Sequence, residues 1–174
     1  KELVRTESFW IDAWISSHYE GTRAVYIVHD AAAKEVDRET FFRIRESGGT
    51  VISSAYELAD QIIKERFSLE DWNLYLFHFT DGENYSRQDT DKCMDLMEHK
   101  LLPSLNLFGY GQVESYGTSG DFYDSLHQRF GNAGLFTLGQ AQVLVISAVL
   151  RCLNVARTVS VIVASASVVL LGTL

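Results

Sequence analysis

An α/β fold built on a mostly parallel sheet is what this sequence predicts, and three observations carry the prediction. Strand-like and helix-like stretches alternate along residues 1–130. The segment Asn73-Leu-Tyr-Leu-Phe-His-Phe79 is apolar nearly throughout, as a strand buried on both faces must be. Turn and helix-stop residues, Asp81-Gly82 and Pro103, fall at the ends of these stretches rather than inside them.

The elements follow in order. Leu3, Val4, Trp10, Ile11, Trp14 and Ile15 recur at helical spacing and give an amphipathic helix ending near Glu20-Gly21. Arg23 to His29 is β-branched and aromatic and reads as a strand. Lys34 to Asp37 reads as a short edge strand, and Glu39 to Ser47 is charged around Phe41, Phe42 and Ile44. Ala55, Leu58, Ala59, Ile62 and Ile63 form one helical stripe. After the buried strand, a helix is expected from about Asp91 to Leu102, stopped by Pro103. Leu105 to Val113 is a further strand, Glu114 to Gly120 a Gly/Ser loop, and Asp121 to Phe130 a short helix. This defines an α/β unit over residues 1–131.

Residues 132–174 differ in character. They hold no Asp, Glu or Lys, and their charges are Arg151 and Arg157. Thr158 to Leu174 is uncharged and mostly apolar, slightly short of the roughly 20 residues that a spanning helix needs. Three readings are open: buried strand and helix, a membrane anchor through 158–174, or a stretch that is not the native end of the domain.

Composition narrows the function. The chain has 174 residues, 47% hydrophobic and 22% charged, with a formal net charge of −8. An acidic balance opposes a nucleic-acid partner, which calls for a basic face. Cys93 and Cys152 make no disulfide framework. The charged first 20 residues give no signal-peptide core, so a cytoplasmic location is expected, and Lys1 points to a start inside a longer protein.

In an open α/β sheet, ligands bind beyond the carboxyl ends of the strands. Two segments point there: Gly48-Gly49-Thr50 before a helix, and Thr80-Asp81-Gly82-Glu83-Asn84 after the buried strand. A hard cation such as Mg²⁺ takes hydroxyl and carboxylate oxygens and keeps waters. Thr50 can supply the hydroxyl and Asp81 the carboxylate, with the glycines allowing tight backbone turns. The plainer alternatives are Thr50 as a helix N-cap or just before one, with Ser53 and Ser54 as rivals, and a simple turn at Asp81-Gly82. A phosphate loop is absent, because no Lys follows the glycines. Asp89, Asp91, Asp95 and Glu98 lack the central glycine of a calcium loop and read as a solvated helix face. The five histidines are scattered, and Ser119 does not match a hydrolase elbow.

Three stretches in order, YIVHDAAAKEVDRETFFRIRESGGTVISSAYELADQII, WNLYLFHFTDGENYSRQDT and LLPSLNLFGYGQVES, resemble the bacterial UPF0229 family, also called DUF444 or YeaH/YhbH. The resemblance runs from Lys1 to about Phe130. It implies a Rossmann-like von Willebrand factor A-type domain with a metal-ion-dependent adhesion site. Such a site combines an Asp-x-Ser-x-Ser stretch after the first strand, a Thr from a second loop and an Asp from a third. Thr50 matches the second part and Asp81 the third, with Gly48, Gly49, Gly82, Glu83, Asn84 and Tyr85 as the rim. The Asp-x-Ser-x-Ser stretch is absent from this chain, so the resemblance implies a sheet lacking its first, central strand and weak or absent binding of Mg²⁺ or Mn²⁺.

What the resemblance implies for function is a metal-dependent protein–protein interaction module rather than an enzyme. The family is associated with stress response or sporulation and with a serine protein kinase partner. The alternatives are a Mg²⁺-dependent phosphohydrolase using Asp81, or a protein tethered to a membrane through residues 158–174.

Overall fold

The computed structural model describes residues 2–44, 50–112, 121–131, 136–140 and 158–165. The first half of the chain gives α1 (Glu2–His18), β1 (Arg23–His29), β2 (Ala33–Val36), α2 (Arg38–Arg43), α3 (Ile52–Arg66) and β3 (Asn73–Thr80). The second half gives α4 (Arg87–Leu96), β4 (Leu107–Gln112), α5 (Asp121–Phe130), β5 (Phe136–Gln140) and β6 (Thr158–Ser165). β1, β3 and α5 lie within a residue of their predicted bounds. β2 is the edge strand, antiparallel to β1.

α4 begins four residues earlier than the apolar pattern suggested, because Ser86 caps it and accepts the Asp89 amide at 3.1 Å. It runs on into a single π turn over Met97–Leu101 before Pro103. The expected loop over 114–120 lies outside the described residues.

The strand order is β2-β1-β6-β3-β4-β5, and every neighbouring pair except β1 with β2 is parallel. β6, from the apolar tail, lies between β1 and β3. Residues 158–165 are thus a strand and not part of a membrane-spanning helix. Among the described residues, no helix is long and apolar enough to cross a membrane.

Two layers cover the sheet. On one face Val25, Ile27, Leu74, Leu76, Phe108 and Tyr110 pack against α3, α4 and α5. On the other, Tyr26, Val28, Tyr75, Phe77, Phe79 and Leu107 pack against Ile11 and Ile15 of α1 and Phe41 of α2. The side-chain alternation of each strand assigns these sets. β3 is buried at every position, which explains why its sequence shows no polar face.

Candidate functional site

The carboxyl ends of β1 and β3 open onto the loops that the sequence marked. β1 ends at His29, and the Asp30 carbonyl accepts the Val51 amide at 2.8 Å, tying the start of α3 to the end of β1. Thr50 is buried, and its carbonyl accepts the Tyr85 amide at 2.7 Å. The Thr50 segment and the loop after β3 are therefore held against each other through main chain. Gly48 and Gly49 lie outside the described residues.

Asp81 is half-buried at the end of β3. Its Oδ1 accepts the Glu83 amide at 3.2 Å and faces the Thr80 hydroxyl at 3.4 Å, the arrangement of an Asx turn. Gly82 follows with φ +81°, and a Cβ there would come within 2.4 Å of the Gln112 side chain. The positive φ favours glycine, and a larger residue would also have to displace the end of the Gln112 side chain. Asn84 is more than a rim residue. Its Oδ1 accepts the Ile52 amide at 3.3 Å and the Tyr85 amide at 2.8 Å, while its Nδ2 donates to Thr90 Oγ1 at 3.1 Å. One side chain thus joins α3, α4 and the loop between β3 and α4. Glu83 and Tyr85 are exposed, Tyr85 at 77%.

Thr50 sits just before the cap of α3, the second of the two places that the sequence offered it. The N-cap itself is Val51, which offers no side-chain acceptor. The cap is supplied from another element. Asp89 of α4 accepts the Ser53 amide at 3.1 Å and the Ser53 hydroxyl at 2.5 Å, so a carboxylate sits at the positive end of α3. Asp89 therefore departs from the solvated face expected of it, while Asp91, Asp95 and Glu98 are exposed as expected. Ser86-Arg87-Gln88-Asp89 is a helix-start pattern that places Asp89 in the first turn of α4, but it carries no signal of the distant partner Ser53.

Beneath these loops lies a buried polar layer. Tyr56 Oη and His78 Nδ1 are 3.0 Å apart, and His78 Nε2 and His29 Nε2 are 3.3 Å apart. Tyr110 donates to Gln112 Oε1 at 3.0 Å. Burial pushes the His29 imidazole down to about 4, against the opposing pull of the Asp30 and Asp89 charges. Burial, and then its neighbour His29, hold His78 well below the usual histidine range. The Tyr110 phenol is pushed well up by burial and, second, by the negative charge of Asp81. Burial likewise pushes the Cys93 thiol up, which makes it an inert core group.

As metal donors, Thr50 and Asp81 are hard oxygens of the type that Mg²⁺ takes, and one carboxylate with a hydroxyl and waters is a common set for that ion. The fit is in donor type, with a single carboxylate. Among the described residues, the acid and histidine side chains close enough to share an ion are Asp95, Glu98 and His99, on α4 and its π turn. There the Arg129 guanidinium already pairs with Asp95 at 3.1 Å and with Glu98. Beside the Asp81 loop, a cleft of about 570 Å³ separates it from α5 and is lined by Glu83, Arg87, Asp121 and Asp124 among others. Its acids outnumber its base, which suits a cationic group better than a phosphate.

No solved structure matches this chain. A family model described as "Protein of unknown function (DUF444)" matches residues 1–148. A UPF0229 protein of Oceanobacillus iheyensis is 41% identical over 116 residues, covering 67% of this chain and 29% of the relative. One of Vibrio parahaemolyticus is 38% identical over 134 residues, covering 76% of this chain and 31% of the relative. One of Halalkalibacterium halodurans is 40% identical over 116 residues. The chain thus spans just under a third of the length of these relatives. With most of its length matched by one model, and by relatives that agree in name, the chain belongs to the DUF444 (UPF0229) family.

Proposed function

We propose that this chain is the core of a metal-dependent protein-binding module of the von Willebrand factor A type, a binding protein and not an enzyme. The observation that carries the reading is the clamp between two loops at the carboxyl end of a parallel sheet. Tyr85 N–H to Thr50 C=O, and Asn84 to the first amide of α3, bring the Thr50 and Asp81 segments into one place. That is where a ligand of an open α/β sheet belongs.

In this reading the Thr50 hydroxyl and the Asp81 carboxylate hold Mg²⁺ or Mn²⁺, and water completes the set. The bound ion would supply an open coordination position for an acidic side chain of a partner protein. Glu83 and Tyr85, exposed beside it, would form the rim that the partner touches. The family resemblance adds the partner class: a protein, with a serine protein kinase as the named candidate and stress response or sporulation as the setting. The phosphohydrolase alternative has less behind it, because Arg87 shares its cleft with Glu83, Asp121 and Asp124.

The test is a calorimetric titration of Mn²⁺ into the wild-type chain and Asp81→Asn. The amide keeps an oxygen for the Glu83 N–H, so the loop survives while the charge is lost. Weak wild-type binding that disappears in the variant is the expected result. Equal binding by both chains would remove Asp81 from the site.

A further inference from the structure

In the proposed site the ion sits beside Thr50, just ahead of α3, and the end of a helix is an awkward place for a cation. The amino end presents free N–H groups and the positive pole of the helix dipole, which favour an anion. α3 does not correct this by itself. Its first turn holds no acidic residue, and its cap, Val51, has no polar side chain.

The correction comes from the segment after β3. Asn84 Oδ1 accepts the Ile52 amide at 3.3 Å, and Asp89 accepts the Ser53 amide at 3.1 Å with one oxygen and the Ser53 hydroxyl at 2.5 Å with the other. Two consecutive free amides of α3 are thereby occupied, one of them by a full negative charge. Among the described residues no base neutralises that charge through an ion pair: Lys92, one turn further along α4, is held by Glu57 at 2.8 Å. The charge of Asp89 is felt as far as His29 at the end of β1, where it opposes the effect of burial.

We propose that Asp89 fixes the sign of the ligand's charge at this site: a positioning residue that, without touching the ion, turns the anion-favouring end of α3 into one that accepts Mg²⁺ or Mn²⁺. The operative feature is the charge of Asp89, and its hydrogen bonds to Ser53 serve to hold that charge at the helix end. The inference rests on the metal reading of Thr50 and Asp81 and deepens it.

The test separates charge from anchoring. Asp89→Asn keeps the size of the side chain and an oxygen for the Ser53 N–H but loses the charge. Ser53→Ala keeps the charge and loses the hydroxyl bond. Mn²⁺ is titrated into the full wild-type chain and both variants, with the free ion followed by its electron paramagnetic resonance signal, which reads weak binding. Both variants loosen the start of α3, so both should unfold at lower urea than wild type. Only Asp89→Asn should weaken Mn²⁺ binding, by about fivefold or more. The gap should narrow as salt is raised from about 50 to 500 mM, which a purely structural role would not produce. Equal affinity of Asp89→Asn and wild type, or equal weakening in both variants, overturns the role of Asp89 and leaves the metal reading standing. No binding by the wild-type chain overturns the metal reading and this inference with it. If Asp89→Asn does not fold, Asp89→Glu decides the matter: affinity kept within about twofold supports the charge, and a loss of about fivefold overturns it.

Discussion

The two faces of the sheet are built on opposite principles. The face toward α1 and α2 is hydrocarbon and aromatic: Tyr26, Val28, Tyr75, Phe77, Phe79 and Leu107 meet Ile11, Ile15 and Phe41. The face toward α3, α4 and α5 begins the same way, with Val25, Ile27, Leu74 and Leu76. It turns polar at the carboxyl ends of the strands, where His29, His78, Thr80 and Gln112 are buried. Both faces are closed to water, so the polar one pairs internally, through Tyr56, Tyr110 and the two imidazoles, with His29 Nδ1 left over among the described residues. Buried polarity on the first face is limited to the α1 side, with Ser8, Asp12 and the Tyr26 hydroxyl, whereas on the second it gathers under the candidate loops. One face holds the fold, and the other also shapes the electrostatics beneath a site.

Breaking the apolar face should have the largest effect. Phe79 is 2% exposed, and its ring also covers Gly111. Phe79→Ala should cost ~3–5 kcal/mol, read as a drop in the urea midpoint with the slope unchanged. A much smaller loss would mean that this face repacks freely.

Acid should sharpen the contrast next, because its first effect falls on the histidines of the polar face. His29 has an ordinary value of 6.5 and a folded value of about 4. Between those values the unfolded chain binds the proton and the native state does not. Stability is therefore full above about pH 6.5 and declines as pH falls toward 4, by ~3 kcal/mol for this group. His78 is shifted in the same direction. The lowered carboxylates of Glu35 and Asp37 lose their contribution at more acidic pH, so the first part of the decline reports the histidines. His29→Gln should flatten it in urea unfolding followed across that range. An unchanged profile would show that the imidazole is not held neutral by burial.

The same asymmetry explains what was legible in the sequence. β1 could be read from Arg23–His29 and β3 from its apolar run, because burial on both faces leaves a local signature. Thr50 and Asp81 could be placed at strand ends because Gly-Gly-Thr and Thr-Asp-Gly punctuate apolar stretches. The roles of Asn84 and Asp89 could not be read that way. Their partners, Ile52 and Ser53, lie more than 30 residues away, and only the packing of α3 on α4 brings them together. The histidine pair is equally non-local, with β1 and β3 separated in sequence by β2, α2 and α3. The place of residues 158–165 was left open for a related reason. A short apolar run fits a buried strand and a buried helix equally well until its neighbours are known.

A third variant asks how tightly the apolar face is fitted. A Cβ on Gly111 would stand 2.6 Å and 2.8 Å from the Phe79 ring, closer than real contacts allow. Gly111→Ala should cost ~1–3 kcal/mol by overpacking. Phe79→Leu in the same chain should return part of that loss, since the ring is the obstacle. Additive losses in the double-mutant cycle would place the strain elsewhere.

Tyr56→Phe should be the mildest change and the most informative about the polar face. If the Tyr56 hydroxyl donates to His78 Nδ1, His78 carries its proton on Nε2 and donates to His29 Nε2, leaving the His29 proton on Nδ1. If the hydroxyl accepts, the order reverses and His29 donates to His78. In both cases His29 Nδ1 ends the chain without a partner among the described residues. Removing the phenol oxygen leaves His78 Nδ1 short of its bond but keeps the packing of the ring. The His78 proton can settle on Nε2, so the atom left alone is an acceptor, which is tolerated better than an orphan N–H. The expected cost is therefore ~1 kcal/mol. Imidazole nitrogen shifts should show His78 as the Nε2–H form in the variant. A loss as large as that of Phe79→Ala would mean that the two faces are not separately organised, and that the hydrogen-bonded layer carries the fold as well as the site.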